Sequence, residues 1–277
     1  MNGNLDVKTV DGFGEEWSRF DQSELDEQEL AAQFDRYFKV FPWEELPAAA
    51  VGFDLGCGSG RWAKFAAQRV GRLHCIDASS AALAVARRNL AALDNVEFHE
   101  ASVDAIPLND ASMDFGYSLG VLHHIPDTAA GIRACAAKLK PGAPFLVYLY
   151  YAFDNRPSWF RAVWKVSDVF RRGIASLPFG AKKVVTDAIA LTVYFPLAKV
   201  SRGLETAGMN VESLPLSVYR RHSFYTMRTD ALDRFGTRTE HRFTRDEISK
   251  MMRAAGLDDV RFSDGDPYWC AVGIKQG

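Results

Sequence analysis

The stretch Phe53-Asp54-Leu55-Gly56-Cys57-Gly58-Ser59-Gly60 places glycine at every second position directly after a short apolar run. Glycine lets the backbone turn tightly and approach a ligand closely. A helix that starts after such a turn offers its first N–H groups to an anionic group. The spacing is G-x-G-x-G, which is neither the dinucleotide fingerprint nor the triphosphate loop with its Lys-Ser/Thr pair. Asp77 closes the next apolar run, Leu73-His74-Cys75-Ile76. An acidic residue at the end of a second strand can accept hydrogen bonds from ribose hydroxyls. The same residue can instead cap the helix that opens at Ser79-Ser80.

Three further groups could do chemistry. His123 and His124 are adjacent; one of them can act as a general base, since an imidazole titrates near neutrality, or the pair can simply pack a helix start. No third ligand stands near them, so no metal is expected. Tyr148, Tyr150 and Tyr151 close a strand, with Tyr148 and Tyr150 on one face and Tyr151 on the other; they contact either substrate or core. The segment from Tyr219 to Arg228 holds Arg220, Arg221, His222, Tyr225 and Arg228. Arginine forks suit carboxylate or phosphate; the alternative is a surface loop paired with the acidic N-terminus. The catalytic candidates are His123, Tyr150 and Tyr225. The substrate candidates are Tyr148, Tyr151, Arg220, Arg221, His222 and Arg228.

The elements that must hold these residues alternate from Ala50 onward. Strands are expected at 51–55, 73–76, 96–99, 113–118 and 144–150, and helices at 61–70, 80–93 and 128–139. Repeated strand–helix units imply a mostly parallel sheet covered on both faces, with ligands at the carboxyl ends of the strands. Residues 1–45 read as an N-terminal helical cap: Ser23 is its N-cap with Asp26 as capping-box partner, Leu25, Leu30, Phe34, Tyr37, Phe38 and Phe41 form its apolar face, and Pro42 ends it. Residues 46–150 are the core. Residues 151–242 are a helical insertion, with one amphipathic helix through Trp159, Phe160, Val163, Trp164 and Phe170. A second, more apolar helix covers Val184 to Tyr194, with Pro178 and Gly180 between the two. Residues 243–277 close the core: Thr244 and Glu247 box a helix that Gly256 stops, and two strands follow near 260–262 and 268–274.

The chain has 277 residues and a net charge of -2, which gives no general attraction to nucleic acid. Charge is segregated: residues 1–45 hold 4 basic and 12 acidic residues, whereas 151–242 hold 15 basic and 8 acidic. The two segments either complement each other, or the basic one attracts an anionic substrate or a membrane surface. The longest apolar run, Ala188 to Ala198, is too short for a membrane span and contains Pro196. No signal peptide is evident, and Cys57, Cys75, Cys135 and Cys270 lack zinc or redox spacing, so a cytoplasmic location is expected.

Val51 to Trp62 resembles the first motif of class I S-adenosylmethionine-dependent methyltransferases, especially those that methylate small molecules. Ile76-Asp77-Ala78-Ser79, Ala105-Ile106-Pro107-Leu108 with Ser112-Met113-Asp114-Phe115, Leu119 to Asp127, and Leu139-Lys140-Pro141-Gly142 resemble the later motifs, in order. The resemblance covers about 50–150 and 243–277. It implies a Rossmann-like doubly wound α/β fold with a mostly parallel seven-stranded sheet, and S-adenosylmethionine as cofactor with S-adenosylhomocysteine as product. Asp54, Gly56, Cys57, Gly58 and Gly60 would hold the methionyl part, with Arg61 at its carboxylate. Asp77 would take the ribose and Ala78 the adenine, and Leu119 and Gly120 would line the methyl group. Where the family often has Asp after the third strand, this chain has Ser102 and Val103, with Asp104 two residues on. The expected activity is methyl transfer to oxygen, nitrogen or carbon of a small molecule, the cap and insertion forming its pocket. A rival reading has the cofactor itself cyclised or cleaved. A third has a module that retains the cofactor and docks on a membrane or partner.

Overall fold

The computed structural model describes residues 4–22 and 25–277. By its internal contacts the chain divides into two compact units. The first comprises the chain up to Gln22, Leu30–Ala152 and Thr239–Gly277; the second comprises Phe153–Arg238 with the short segment before Leu30.

The first unit is built on strands β1 (Val51–Leu55), β2 (Arg72–Asp77), β3 (Val96–Glu100), β4 (Phe115–Leu119), β5 (Pro144–Tyr148), β6 (Leu257–Phe262) and β7 (Cys270–Lys275). They form one sheet in the order β3-β2-β1-β4-β5-β7-β6. The first five run parallel; β7 is antiparallel to β5, and β6 to β7. The expected seven-stranded, mostly parallel α/β sheet is therefore present. Strand order reverses between β1 and β4, which opens a crevice at their carboxyl ends.

The unit's helices are α1 (Val7–Arg19), α2 (Glu27–Tyr37, whose first turn belongs to the second unit), α3 (Ala63–Ala66), α4 (Ser80–Asn89), α5 (Thr128–Lys138) and α10 (Arg245–Ala254). Ser79 caps α4, accepting from Ala82 N–H, and Asp127 caps α5 from Ala130 N–H. Thr244 and Glu247 make the expected reciprocal box at α10. Phe53, Leu55, Ile76, Ile132, Phe145 and Val147 fill one side of the sheet. On the other side, Phe34, Phe38, Phe41 and Trp43 pack on Phe115 and Tyr117.

Several boundaries differ from expectation. Helix α1 was not anticipated. Ser23 lies outside the described residues; Asp26 caps α2 instead, its carboxylate accepting from Gln28 and Glu29 N–H. Helix α2 stops at Tyr37, before Pro42. The helix expected over 61–70 is one α-turn, continued by a 3-10 turn at Ala67–Arg69, because the chain must turn at Gly71 into β2. Helix α4 ends at Asn89 rather than near Leu93, and β5 ends at Tyr148 rather than Tyr150.

The second unit holds α6 (Ser158–Ala175), α7 (Phe179–Ile189), α8 (Phe195–Thr206) and α9 (Phe224–Gly236). A π turn at Ala190–Tyr194 joins α7 to α8 into one continuous helix, Phe179–Thr206. Gly180 thus lies inside a helix rather than between two. Pro196 does not interrupt it either: the wide turn just upstream accommodates the proline ring and the missing N–H. The apolar run Ala188–Ala198, too short by itself, therefore belongs to a helix that is, by length and composition, long and apolar enough to cross a membrane. Ala190, Tyr194 and Ala198 pack against Met227, Ala231 and Phe235 of α9.

Candidate functional site

The glycine turn leaves β1 with three residues in the left-handed region: Gly56 at φ +76, Gly58 at +55 and Gly60 at +78. Conformation and space both require glycine at Gly56, where a Cβ would lie 2.3 Å from a Val121 methyl. Gly56 and Cys57 N–H both donate to the Ile76 carbonyl, which ties the turn to the end of β2. Asp77 completes that tie. Its Oδ2 accepts from Gly58 N–H at 2.9 Å and its Oδ1 from Ser79 N–H at 2.9 Å. Asp77 therefore supports the start of α4 through its neighbour Ser79, and it also joins the first two loops of the crevice. Burial raises its pKa.

Asp54 stands on β1 immediately before this turn and is buried, and its Oδ2 has no hydrogen-bond partner. Burial pushes its carboxyl up to about 8; Asp77 adds to the rise, while Tyr117 and Arg61 oppose it. Ser59 Oγ is likewise buried and unpartnered. Arg61 stacks over Trp62 at 4.3 Å and Trp17 at 5.6 Å. Trp17 belongs to α1, and a Cβ on Gly58 would come within 3.0 Å of its indole. Helix α1 thus covers the glycine turn. Gly14 seats it on α4, where a Cβ would meet Ser79 Oγ at 2.6 Å, and Phe13 reaches His124 at 5.0 Å. Trp17 and Phe13 were missed from sequence, although Val7, Val10, Gly14 and Trp17 keep a helical spacing that could have revealed the helix.

At the end of β3, Ser102 Oγ donates to Asp104 Oδ1 at 2.5 Å, and Asp104 Oδ2 accepts from Asn4 N–H. The Ser102 bond holds the exposed Asp104 carboxyl below its ordinary pKa. Val103 is buried under α5. Ala78 follows Asp77 and is partly buried. Leu119 ends β4, and Gly120 (φ +81) donates to the Tyr148 carbonyl.

His123 and Tyr150 come together, stacked at 3.9 Å, with Tyr148 at 5.9 Å from Tyr150 and Tyr37 at 5.0 Å from Tyr148. Both His123 ring nitrogens are buried without a partner. Burial first, then the charges of His124, Arg242 and His241, drive its pKa well below the ordinary value, so the ring is a neutral imidazole. His124 Nδ1 donates to the Thr239 carbonyl at 2.7 Å, which gives it a positional role. Tyr151 turns away, as alternation requires, and packs on Tyr268 and Trp269.

The remaining candidates belong to the second unit. Tyr225 and Arg228 lie on α9, and Arg220 and Arg221 on the 3-10 turn before it, ahead of His222. Arg220 and Arg221 pair with Glu205, and Arg228 with Asp187. Glu205 and Asp187 belong to the same unit, as does Glu29, which accepts from Ser223 N–H and Thr226 Oγ1. Elsewhere, His74 Nδ1 lies 3.0 Å from His99 Nε2 and 3.4 Å from Glu97 Oε2 on β2 and β3. These atoms are close enough to hold a metal ion, a grouping that sequence spacing did not suggest because it depends on strand register.

Comparison with known proteins bears on this geometry. A family model described as a methyltransferase domain matches residues 53–142. The chain is 37% identical over 106 residues to a ubiquinone biosynthesis O-methyltransferase of Albidiferax ferrireducens, covering 37% of this chain and 40% of the relative. It is 32% identical over 161 residues to the enzyme of that name from Xanthomonas axonopodis, covering 51% of this chain and 63% of the relative. The chain thus spans less than two thirds of these curated relatives. An O-methyltransferase family protein from Burkholderia thailandensis has a similar fold, with a TM-score of 0.53 at 16% identity, over 98% of this chain and 61% of that one. The glycine turn, Asp77, the β4 end and the turn into β5 all fall within or beside the matched segment, so the part of the chain similar to a methyltransferase domain is the part that builds this site.

Proposed function

We propose that the chain transfers the methyl group of S-adenosylmethionine to a hydroxyl oxygen of a small-molecule acceptor. One observation carries the cofactor half of this reading: the buried, unpartnered Oδ2 of Asp54 beside a turn of three left-handed glycines. A cationic amino group is the donor such a carboxylate suits, and it would hold Asp54 ionised against burial. Asp77 retains acceptor capacity for ribose hydroxyls beyond its two backbone bonds, and Ser59 offers a further polar contact. When bound, the cofactor supplies a methyl carbon activated by its sulfonium. The chain's own residues then position and deprotonate. His123, neutral and unpartnered, can take the proton of an acceptor hydroxyl, and Tyr150 stacked on it fixes the ring plane. The choice of oxygen rests on the O-methyltransferase relatives. Residues 153–238 lie outside the matched segment, and variation in acceptor choice is assigned to them.

Calorimetry with S-adenosylmethionine tests the cofactor half. Binding in the micromolar range is expected, falling at least tenfold in Asp77→Asn with the fold retained. A folded wild type that does not bind overturns the reading. The same sample, incubated without acceptor, should leave the cofactor intact; its cyclisation or cleavage would favour the rival in which it is the substrate.

A further inference from the structure

Among the described residues, every large exposed hydrophobic side chain except Val7 belongs to the second unit. They are ordered on its helices. On α6, Trp159, Val163, Val166 and Phe170 recur at three- and four-residue intervals and form one outward stripe, with Val169 beside it. Val166 is 61% exposed and Phe170 65%. The side of α6 that faces its own unit holds Phe160, Trp164, Ile174 and Ala175 together with the buried pair Asp168 and Arg171 at 2.6 Å. Helix α6 therefore carries apolar side chains on its outer face as well as on this packed side, unlike a surface helix whose outer face is polar throughout. Arg161, Lys165 and Arg172 recur at four- and seven-residue spacing and form an exposed basic row of α6 on the far side of Val169 from the apolar stripe, Arg172 also pairing with Asp168 at 2.8 Å.

The long helix Phe179–Thr206 also presents apolar side chains outward. Thr186, Ala190, Tyr194, Ala198 and Ser201 are its buried positions, and Val184, Leu191, Val193, Phe195, Leu197 and Val200 are exposed. Between Ala188 and Ser201 its charged residue is Lys199, whose ammonium lies 5.1 Å above the Phe195 ring.

We infer that this face of the second unit docks on an anionic lipid bilayer. Outward apolar stripes supply the buried area, and the exposed Arg161 and Lys165 together with the net positive segment 151–242 supply attraction to anionic headgroups. Trp159 is an aromatic of the kind that settles at the headgroup level, and Phe195 and Phe224 add exposed apolar area. The long helix lies in the plane of the membrane. Crossing would pull Tyr194 from its packing against α9 and carry Asp187, paired with Lys183 and Arg228, into hydrocarbon.

Vesicle flotation of the full chain tests this without cofactor or acceptor. The chain is expected to float with phosphatidylglycerol-containing vesicles at low salt, less with pure phosphatidylcholine, and to be released as salt rises. The double variant V166E/F170E, altered at exposed positions, should keep the wild-type thermal melt and lose at least tenfold in binding. The variant R161E/K165E should bind more weakly with a shallower salt dependence, and it serves alone if the first fails to fold. The inference is overturned if the folded wild type does not float, or if V166E/F170E floats as well as wild type. A stable dimer in light scattering that V166E/F170E dissociates, with no vesicle binding, would assign the face to a second copy instead.

Discussion

At the scale of single residues, the glycine turn combines two constraints that separate when other glycines are compared. Gly56 and Gly120 both sit in the left-handed region, yet a Cβ on Gly56 meets Val121 at 2.3 Å while one on Gly120 meets nothing within 4 Å. Gly120→Ala should therefore cost only the backbone term, ~1 kcal/mol. Gly56→Ala adds overpacking and should cost ~1–3 kcal/mol more. Urea denaturation of the two variants checks the ordering, and equal losses would mean that Val121 yields. The spacing of these glycines was legible because a turn is a local property. The unpartnered state of Asp54 was not, since it depends on burial beneath neighbouring strands. Nor could sequence tell that Arg220, Arg221 and Arg228 meet Glu205 and Asp187, which are remote in the chain.

At the scale of elements, the alternating strands and helices of 50–150 were readable because each strand is a short apolar run bounded by turn residues. Helix α1 was overlooked for the opposite reason. Gly12 and Gly14 weaken its propensity, and its apolar positions gain meaning only against α4 and the glycine turn. The two glycines now make a paired test. A Cβ at Gly12 meets nothing within 4 Å, so Gly12→Ala should stabilise by ~0.5–1 kcal/mol through helix propensity. Gly14→Ala strikes Ser79 Oγ and should lift α1 from α4, raising hydrogen exchange over 7–19 and weakening cofactor binding several-fold. Unchanged exchange in Gly14→Ala would show that the Ser79 hydroxyl rotates away at no cost. The π turn before Pro196 belongs to the same class: a proline within an apolar run reads as a stop unless a wider turn precedes it, and that wider turn leaves no mark in composition.

At the scale of the whole molecule, buried titrating groups shape the dependence of stability on pH, with opposite signs. Burial raises the Asp54 carboxyl from an ordinary 3.8 to about 8, so the folded state holds a proton that the unfolded chain has released. Stability is then lost progressively as pH rises from about 4 to about 8. Burial lowers His123 and His74, so the unfolded chain binds their protons first, and stability is lost as pH falls below about 6.5. The carboxylates of Asp168 and Asp187 are shifted downward; burial opposes that shift, and their arginine partners, with Lys183 at Asp187, prevail. Their contribution is present above about 4 and disappears in acid. Between about 4 and 6.5 the histidine gain offsets the Asp54 loss, whereas above 6.5 only the loss remains. Urea midpoints of the cofactor-free chain should therefore decline between pH 6.5 and 8, and Asp54→Asn, neutral and of the same shape, should flatten that decline. The same variant should bind S-adenosylmethionine at least tenfold more weakly, because the carboxylate that costs stability is the one assigned to the amino group. A variant that remains pH-dependent above 6.5 would place the buried charge elsewhere, on Asp77, whose pKa is raised by the same burial. One that flattens yet binds normally would separate the strained carboxylate from the cofactor.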